Sequence, residues 1–388
     1  MAGSGSAGVT AAFSARFPGS GTPRVYRAPG RVNLIGEHTD YNLGFVLPMA
    51  LELACFTAAA PNRDGILRIY SDNLRASREF KVTDLADLKP SRDWSDYVAG
   101  VAQKLVQAGY PVEGANLAIH STVPVGSGLS SSAAIEVSTA YALLAGRNMD
   151  KTAIARLCQS AERDFVGMPC GIMDQYVSAH GAEHSAVLID CRSTTHDLVS
   201  LPQNVSIVAV NSMVKHELGG SAYRDRVREC GEAVAILAQK HPEVRSLRDV
   251  RPVDLEPYRN SIPEIPFRRA RHVTTEDERV EAFKKASDRR DLATMGKLFV
   301  ASHRSLQHDY EVSCEELDYL VDTAITMPFV YGARMTGGGF GGCTVNLVKP
   351  EATGEFADKI SREYKQKYNL NPVIITCVPA AGAGEITG

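Results

Sequence analysis

The amino-acid sequence predicts a protein that mixes helices and strands, of α/β or α+β class, in two or three domains. Its 388 residues exceed a single domain, which usually takes roughly 100–200 residues. Hydrophobic residues make up 44% and charged residues 22% of the chain, an ordinary composition for a globular protein with a buried core. Segments with helical spacing of apolar residues alternate with short apolar runs typical of strands, which favours the mixed class.

The elements of the first half are predicted from local patterns. Small residues dominate the N-terminus and predict a flexible arm, whereas the period of the apolar residues separates strands from helices. In chain order these are an arm (residues 1–20), a strand (115–123), a helix (130–144), a helix from Thr152 to Gly167, and buried strands (186–189 and 205–210). The domain boundary is expected near residue 203, which gives an N-terminal domain of residues 21–203 and a C-terminal domain of residues 204–388.

The second half continues with the same mixture of elements. Helices are predicted at residues 223–240, 276–302 and 313–326, and a strand at 343–348. Residues 241–266 are rich in proline and weakly patterned, so they are expected to form an irregular connection. The basic run at residues 268–272 is either a solvated face or a contact between domains.

Charge and composition exclude several classes of partner. The formal net charge of −3 provides no excess of positive charge to hold a nucleic-acid backbone, so no nucleic-acid partner is expected. The longest apolar run, residues 45–60, is interrupted by Pro48 and Glu52 and is shorter than the roughly 20 residues of a membrane helix, so no membrane partner is expected. Eight scattered cysteines without a Cys-x-x-Cys pair predict reduced thiols and a cytoplasmic protein.

Three segments carry chemistry, and the first is residues 29–41, Pro-Gly-Arg-Val-Asn-Leu-Ile-Gly-Glu-His-Thr-Asp-Tyr. It concentrates a cation, two carboxylates and an imidazole on a short stretch that contains two glycines. Short donors and acceptors on a tight turn suit a polyhydroxylated ligand, because each sugar hydroxyl both donates and accepts hydrogen bonds. A solvated surface loop is the alternative that these residues alone leave open.

The second segment is residues 124–134, Pro-Val-Gly-Ser-Gly-Leu-Ser-Ser-Ser-Ala-Ala, between a predicted strand and a predicted helix. Unpaired N–H groups at the helix start, together with the helix dipole, make an anion site, and serine hydroxyls can add hydrogen bonds or bind Mg²⁺. The segment is neither a P-loop nor a dinucleotide fingerprint, because the required lysine and third glycine are missing. An ordinary turn before a serine-capped helix is the alternative.

The third segment is residues 335–343, Met-Thr-Gly-Gly-Gly-Phe-Gly-Gly-Cys. It contains Gly-x-Gly-x-x-Gly, but a predicted strand follows instead of the helix that a dinucleotide site requires. The chain also lacks the His-Arg-Asp and Asp-Phe-Gly motifs of protein kinases. The glycines therefore indicate either a close approach to phosphates or a tight bend between strands.

The order and spacing of these three segments resemble the motifs of the GHMP kinases, a family that phosphorylates small metabolites. Within that family, the first segment resembles the signature of the galactokinase branch. The resemblance implies an α+β fold of two lobes, an N-terminal lobe like domain 2 of ribosomal protein S5 and a ferredoxin-like C-terminal lobe, with the active site in the cleft. It also implies ATP as co-substrate, Mg²⁺ as cofactor, phosphorylation of the C1 hydroxyl of α-D-galactose, and a monomer.

The resemblance implies roles for individual residues, which are expectations here. Those expected at the sugar are Glu37, His38, Thr39, Asp40, Gly171 and Tyr223. Those expected at ATP are Gly126, Ser127, Gly128, Leu129, Ser130, Ser131, Ser132, Ser71 and Trp94, with residues 337–342 at the rim of the site. Mg²⁺ is expected on Ser132 and Glu162, since a hard cation prefers carboxylate and hydroxyl oxygens. Asp174 is expected to orient the sugar hydroxyl and take its proton late, and Arg31 to stabilise the transition state.

Two alternatives to a galactokinase remain at this stage. An N-acetylgalactosamine kinase is disfavoured because that branch, by resemblance, carries isoleucine where Thr39 stands. A non-catalytic sensor of galactose and ATP is disfavoured because such relatives have a damaged serine loop, whereas residues 130–134 are intact.

Overall fold

A computed structural model describes residues 2–215 and 219–386. Within these ranges the α-helices, labelled in chain order, are α1 (Ala2–Arg16), α2 (Asp96–Gln107), α3 (Ser131–Leu144), α4 (Lys151–Ser160), α5 (Met173–His180), α6 (Gly219–Ala238), α7 (Pro252–Leu255), α8 (Glu264–Asp288), α9 (Leu292–Ser305), α10 (Glu315–Ile325) and α11 (Thr353–Tyr368). The strands are β1 (Arg24–Asn33), β2 (Phe45–Val46), β3 (Pro48–Pro61), β4 (Ile66–Ser71), β5 (Ala76–Lys81), β6 (Ala115–Ser121), β7 (Ser185–Asp190), β8 (Thr195–Ser200), β9 (Ser206–Lys215), β10 (Val330–Thr336), β11 (Gly341–Val348), β12 (Val373–Cys377) and β13 (Gly384–Ile386).

The first lobe is built on a six-stranded sheet in the order β13-β1-β3-β6-β4-β5. Neighbouring strands are antiparallel except β4 and β6, which run parallel and so end at the same edge of the sheet. Because successive side chains on a strand point to opposite faces, each face of this sheet has its own apolar layer. One layer, which includes Val32 and Leu117, packs with Val137 of α3 in the largest core of the molecule.

The other face of the sheet is covered by α1, which corrects the flexible arm expected for residues 1–20. Val9 and Phe13, one helical turn apart, are completely buried against Phe56 and its neighbours on the sheet. A Cβ atom at Gly5 would come within 2.3 Å of the Phe56 ring. The small residues that suggested flexibility therefore let the helix lie close to the sheet.

The second lobe contains a four-stranded antiparallel sheet in the order β10-β11-β9-β12. Its apolar residues pack with α10 and α11 in a separate core that includes Leu320 and Phe356. The boundary expected near residue 203 falls between β8 and β9. After the second lobe, however, the chain returns to the first lobe, where β13 pairs with β1 and Ile386 lies opposite Val25.

Helix α8 joins the two lobes and differs most from the sequence-based expectation. It begins at Glu264, inside the segment expected to be irregular, and the helical region expected at 276–302 is broken after Asp288, where Arg290 has a φ of +57°. The basic run lies on this helix, and Arg269 and His272 in it are only 2% and 0% exposed. Of the two interpretations of that run, the contact between domains is therefore the one that the structure supports, since His272 Nε2 lies 3.1 Å from the Glu37 carbonyl oxygen of the first lobe.

In the parts of the chain that the structure describes, no helix is long and apolar enough to cross a membrane. All eight cysteines carry free thiols.

Candidate active site

The two residues expected to be catalytic are in direct contact. Arg31, near the end of β1, donates to Asp174, in the first turn of α5, from Nε and from Nη2, at 2.8 Å each. A two-bond contact between guanidinium and carboxylate fixes both side chains in position. The Arg31 side chain is 6% exposed and that of Asp174 is 25% exposed, so the aspartate forms the open side of the pair.

Arg31 also connects this pair to the glycine- and serine-rich loop. Its Nη1 donates to the Gly128 carbonyl oxygen at 2.5 Å, and its backbone N–H donates to the Leu129 carbonyl oxygen at 3.0 Å. The strand can come this close because a Cβ atom at Gly30 would lie only 2.6 Å from that same Leu129 oxygen. The Arg31 side chain thus contacts both Asp174 and the loop.

The loop ends at the N-terminus of α3. Gly126 and Gly128 have φ values of +72° and +79°, and Ser130 has a φ of +58°, a conformation that most residues avoid. Ser130 occupies the N-cap position, but its side chain does not cap the helix and donates to Asp174 instead. In the described residues no side chain caps the first turn of α3, and its N–H groups, together with the helix dipole, suit a phosphate.

Glu162 and Ser132 form the site expected for Mg²⁺. Glu162 lies in a π-helical turn, Ala161–Val166, that continues α4, and such turns are frequent at functional sites. The Ser132 hydroxyl hydrogen-bonds to the Glu162 carboxylate, and burial together with the charge of Asp174 raises the pKa of Glu162 to about 7. Within the described residues no group of three or more His, Cys, Asp or Glu forms a complete metal site. One carboxylate and one hydroxyl fit Mg²⁺, which usually takes its other oxygens from water and phosphates.

Asp40 lies close enough to Asp174 for their charges to interact, and the exposed part of Asp174 marks the opening of the site. Burial and, next, the charge of Asp174 raise the pKa of Asp40 to about 7. Gly171 allows this approach, because a Cβ atom there would lie 2.0 Å from Asp40 Oδ2. Two carboxylates from different elements therefore converge beside one glycine, an arrangement that can accept hydrogen bonds from several hydroxyls.

His38 is packed among tyrosines next to these carboxylates. Its ring lies 5.5 Å from that of Tyr223 and 4.8 Å from that of Tyr310, and its Nδ1 lies 2.9 Å from the Tyr41 hydroxyl. Burial lowers the pKa of His38 to about 3, so its imidazole is neutral. The residue has a φ of +63°, and strained backbone of this kind is concentrated at functional sites.

The side chains of Glu37 and Thr39 make hydrogen bonds to other groups of the protein. Glu37 accepts hydrogen bonds from the Thr336 hydroxyl at 3.0 Å and from the Gly337 N–H at 2.5 Å, so it holds the start of the third glycine-rich segment. The Thr39 hydroxyl donates to the carbonyl oxygens of Gly36 and Phe45 within its own turn. Neither side chain points freely into the opening, and their expected contact with the sugar stays a prediction.

The third segment lies against the second. Gly337 and Gly342 have φ values of +86° and +84°, and a Cβ atom at either would lie 3.1 Å from a carbonyl oxygen of Gly128 or Ser127. Gly338 lies under the Tyr223 ring. Residues 337–342 thus pack closely on the loop, and their place at the rim of the site stays a prediction.

Ser71 and Trp94 are not joined to the loop by any hydrogen bond found in residues 2–215 and 219–386. Ser71, the last residue of β4, pairs with Ile119 of the parallel strand β6. Because β6 leads into the loop, Ser71 lies at the edge of the sheet from which the loop starts. Trp94 is half-buried against the main core just before α2. Their role at the nucleotide base stays a prediction.

Sequence reasoning missed several residues that support this site. They belong to no recognisable charge pattern, or they lie far from the three segments in the chain. They are Glu136, Gln175, His272, Glu276 and Arg334, together with Ser130 in its role as a partner of Asp174. The one local signal was the position of Gln175 directly after the expected catalytic aspartate.

Comparison with known proteins identifies the family. A model of the galactokinase galactose-binding signature matches residues 11–61, and models of the N-terminal and C-terminal GHMP kinase domains match residues 96–182 and 280–366. A curated galactokinase from Chloroflexus aggregans is 45% identical over 380 residues, which are 97% of this chain and 96% of the relative. The chain belongs to the galactokinase family.

Other galactokinases agree with this assignment. The human galactokinase is 45% identical over 347 residues, 87% of this chain and 86% of the relative. The crystal structure of Lactococcus lactis galactokinase complexed with galactose has a TM-score of 0.94 at 32% identity and covers 98% of this chain and 99% of that chain. Mevalonate kinase from Methanococcus jannaschii, with a TM-score of 0.66 at 18% identity, shares the fold alone. The expected α+β GHMP kinase fold and the resemblance to galactokinases are thus confirmed, and the family is one of ATP-dependent kinases.

Proposed function

We propose that this galactokinase transfers the γ-phosphoryl group of ATP, with Mg²⁺, to the C1 hydroxyl of α-D-galactose and releases galactose 1-phosphate and ADP. The observation that carries the proposal is the contact of Arg31 with both Asp174 and the Gly128 carbonyl oxygen. This contact brings the acceptor side of the site, at Asp174, next to the phosphate side, at the start of α3. Phosphoryl transfer depends mainly on such positioning and on neutralised charge.

Asp174 acts on the hydroxyl that is phosphorylated. Arg31 and Ser130 hold its carboxylate, and its exposed part accepts a hydrogen bond from the C1 hydroxyl and so aligns the oxygen for attack. In a loose transition state the hydroxyl keeps its proton until the bond to phosphorus is well advanced, and Asp174 then receives it.

Arg31 stabilises the charge on the transferring group. Its Nε and Nη2 bind Asp174 and its Nη1 binds Gly128, but each Nη also carries a second hydrogen. In the proposed reaction those second hydrogens donate to the oxygens of the transferring phosphoryl group. Donors already fixed at such a place stabilise developing charge without reorganisation.

Ser132 and Glu162 would hold Mg²⁺, which supplies charge neutralisation on the phosphate oxygens when bound. The backbone N–H groups of the first turn of α3 bind phosphate, with Gly126, Ser127, Leu129 and Ser131 shaping the loop. Ser71 and Trp94 contact the base end of the nucleotide.

The sugar lies against Asp40, Gly171, His38 and Tyr223, while Glu37 and Thr39 fix the turn that carries His38 and Asp40. Asp40 accepts hydrogen bonds from ring hydroxyls, since it has no side-chain partner within the described residues. We also propose that the protein acts as a monomer in the cytoplasm, as expected from its reduced thiols, and light scattering that gives the mass of one chain would test the monomer.

Galactose-dependent ADP release by the purified protein tests the proposed function. We expect ADP to be released when galactose and ATP are both present, and NMR to show the phosphate at C1 of the product. The kcat/KM for N-acetylgalactosamine should be far lower than that for galactose. Binding of galactose and ATP without turnover would instead indicate a sensor and contradict the proposal.

A further inference from the structure

Behind Glu162 lies a buried polar cluster that the proposed reaction does not use. It consists of Glu136 on α3 and Gln175 on α5, both completely buried. Gln175 Nε2 donates to Glu136 Oε2 at 2.9 Å and to Glu162 Oε2 at 2.5 Å. One side-chain amide therefore connects two carboxyl groups across three helical segments.

No arginine or lysine of residues 2–215 and 219–386 pairs with either Glu136 or Glu162. A buried polar group without a partner is costly, so the two hydrogens of the Gln175 amide are a main source of stabilisation for this pair. The amide is also neutral. A cation in the same place would compete with a metal ion for the charge of Glu162, whereas an amide fixes the carboxylate and leaves its charge available.

The placement of Gln175 follows from the helix that also carries Asp174. Consecutive helical residues point about 100° apart, so the first turn of α5 directs Asp174 towards Arg31 and Gln175 towards Glu162. The Oε1 atom of Gln175 and the Oε1 atom of Glu136 make no hydrogen bond within the described residues, so the bridge through Nε2 is the contact that holds both side chains.

We propose that Gln175, anchored by Glu136, is a positioning residue that fixes the Oε2 atom of Glu162 and leaves the other oxygen of this carboxylate to Mg²⁺. The inference rests on the proposed function, in which Glu162 holds the metal ion. Partners that orient metal ligands typically change metal affinity by about 10- to 100-fold when they are removed.

The variant Gln175→Met keeps the volume of the side chain and removes both hydrogen bonds. We expect its ADP affinity in EDTA, measured by calorimetry, to equal that of the wild-type protein, and the gain in ADP affinity on adding Mg²⁺ to fall by about 10-fold or more. The KM for galactose should stay unchanged. An unchanged Mg²⁺-dependent gain would overturn the proposal.

A matched control is Gln103→Met, which also removes a buried glutamine, one that donates to the carbonyl oxygens of Ala86 and Leu88 and not to Glu162. It should lower the free energy of unfolding and leave the Mg²⁺-dependent gain intact. If it reduced that gain as strongly as Gln175→Met, the effect would be general loosening and the positioning role would be wrong.

Glu136→Met keeps the proposal testable if Gln175→Met does not fold, because it removes the acceptor that anchors Gln175 and leaves Gln175 itself in place. We expect its Mg²⁺-dependent gain to fall below that of the wild-type protein, whereas an unchanged gain would contradict an anchoring role. The wild-type protein is measured alongside. If it releases no ADP with galactose, the proposed function fails; if it does and the Gln175→Met protein keeps the gain, only the positioning role fails.

Discussion

Arg31 shows how much one residue can organise. Its guanidinium contacts the Asp174 carboxylate on one side and the Gly128 carbonyl oxygen on the other, so two parts of the site that come from different segments of the chain share one support. A lysine could not do this, because its single ammonium group lacks the planar fork of donors. The geometry of the reaction centre thus depends on a side chain that is nearly buried.

Asp174→Asn should lower kcat by about 10²–10⁴-fold, the range typical of a lost proton acceptor, because the amide cannot receive the proton of the hydroxyl. Galactose binding, measured by calorimetry, should be retained, since Asp40, His38 and Tyr223 are unchanged. Asp164→Asn, which removes an equal charge from a surface ion pair with Lys104, is the control. A kcat near that of the wild-type protein would contradict the assignment.

The KM for galactose should depend on pH through Asp40. Burial raises the pKa of this carboxyl to about 7, so it is ionised above that pH and protonated below it. A protonated carboxyl loses acceptor capacity, and the KM should therefore rise as pH falls below about 7, by up to tenfold per pH unit. Saturating Mg²⁺ keeps Glu162 ionised during the measurement.

The control for this pH dependence is Asp40→Asn. Its KM should be high and should not change across the same pH range, because the titrating group is gone. A KM that stays flat for the wild-type protein between about pH 8 and pH 6 would show that Asp40 does not bind the sugar as a carboxylate.

At the residue scale the sequence predicted those groups whose chemistry is visible in a short motif. Arg31 and Asp40 belong to a short polar segment with two glycines, whereas Asp174 was expected from the family resemblance, and the structure brings the three close together. Gln175 and Glu136 were missed because a buried amide or carboxyl has no sequence pattern of its own. Their role follows only from which helices pack together.

Among the elements, α1 gives the sharpest difference between sequence and structure. Its composition suggested a floppy arm, yet it shields one face of the first sheet through Val9 and Phe13. Composition reports how many apolar residues a segment has, not whether they reach a partner. Two well-placed side chains are enough when the residues around them are small.

Phe13→Ala should lower the free energy of unfolding by about 3–5 kcal/mol, because it removes a completely buried ring and leaves a cavity. The kcat should remain close to that of the wild-type protein, since the helix lies on the face of the sheet opposite α3. Chemical denaturation and steady-state kinetics measure the two effects. Leu198→Ala, at a side chain that is 55% exposed, should change stability by less than about 0.5 kcal/mol. Equal stability of the two variants would indicate that the N-terminal segment is not packed.

Helix α3 and strand β6 were predicted, because each borders on glycines and has a regular apolar period. The π-helical turn that carries Glu162 was not, since it looks like the continuation of α4 in sequence. The start of α8 was also missed, because buried Arg269 and His272 make its inner face look hydrophilic. A tertiary contact, not a local pattern, sets that element.

For the whole molecule, the decisive feature is a buried polar contact between α8 and the sugar segment. Glu276 accepts hydrogen bonds from the Gly36 N–H at 3.0 Å and the Ser302 hydroxyl at 2.6 Å. Although burial opposes ionisation, Arg279, His272 and Arg334 keep the pKa of Glu276 at about 2. An ionised acid from the second half of the chain thus fixes the turn that precedes Glu37.

Glu276→Gln should lower the free energy of unfolding by about 3–5 kcal/mol, because it leaves buried cations without their counter-charge. It should also raise the KM for galactose by up to about tenfold, or 1.4 kcal/mol, through loosening of the turn at Gly36. Denaturation and galactose titration give the two values. Glu281→Gln, at an exposed position of the same helix, should change neither, and a matching loss in that variant would count against the buried contact.

The pairing of β13 with β1 has a consequence for how the molecule is made. On a ribosome, the open edge of β1 has to wait for residues 384–386, which are translated long after β1 itself. The first lobe therefore cannot be completed in the order of translation, and a lone N-terminal half would carry an unpaired backbone edge. The six-stranded sheet of this kinase is complete only when β13 has paired with β1.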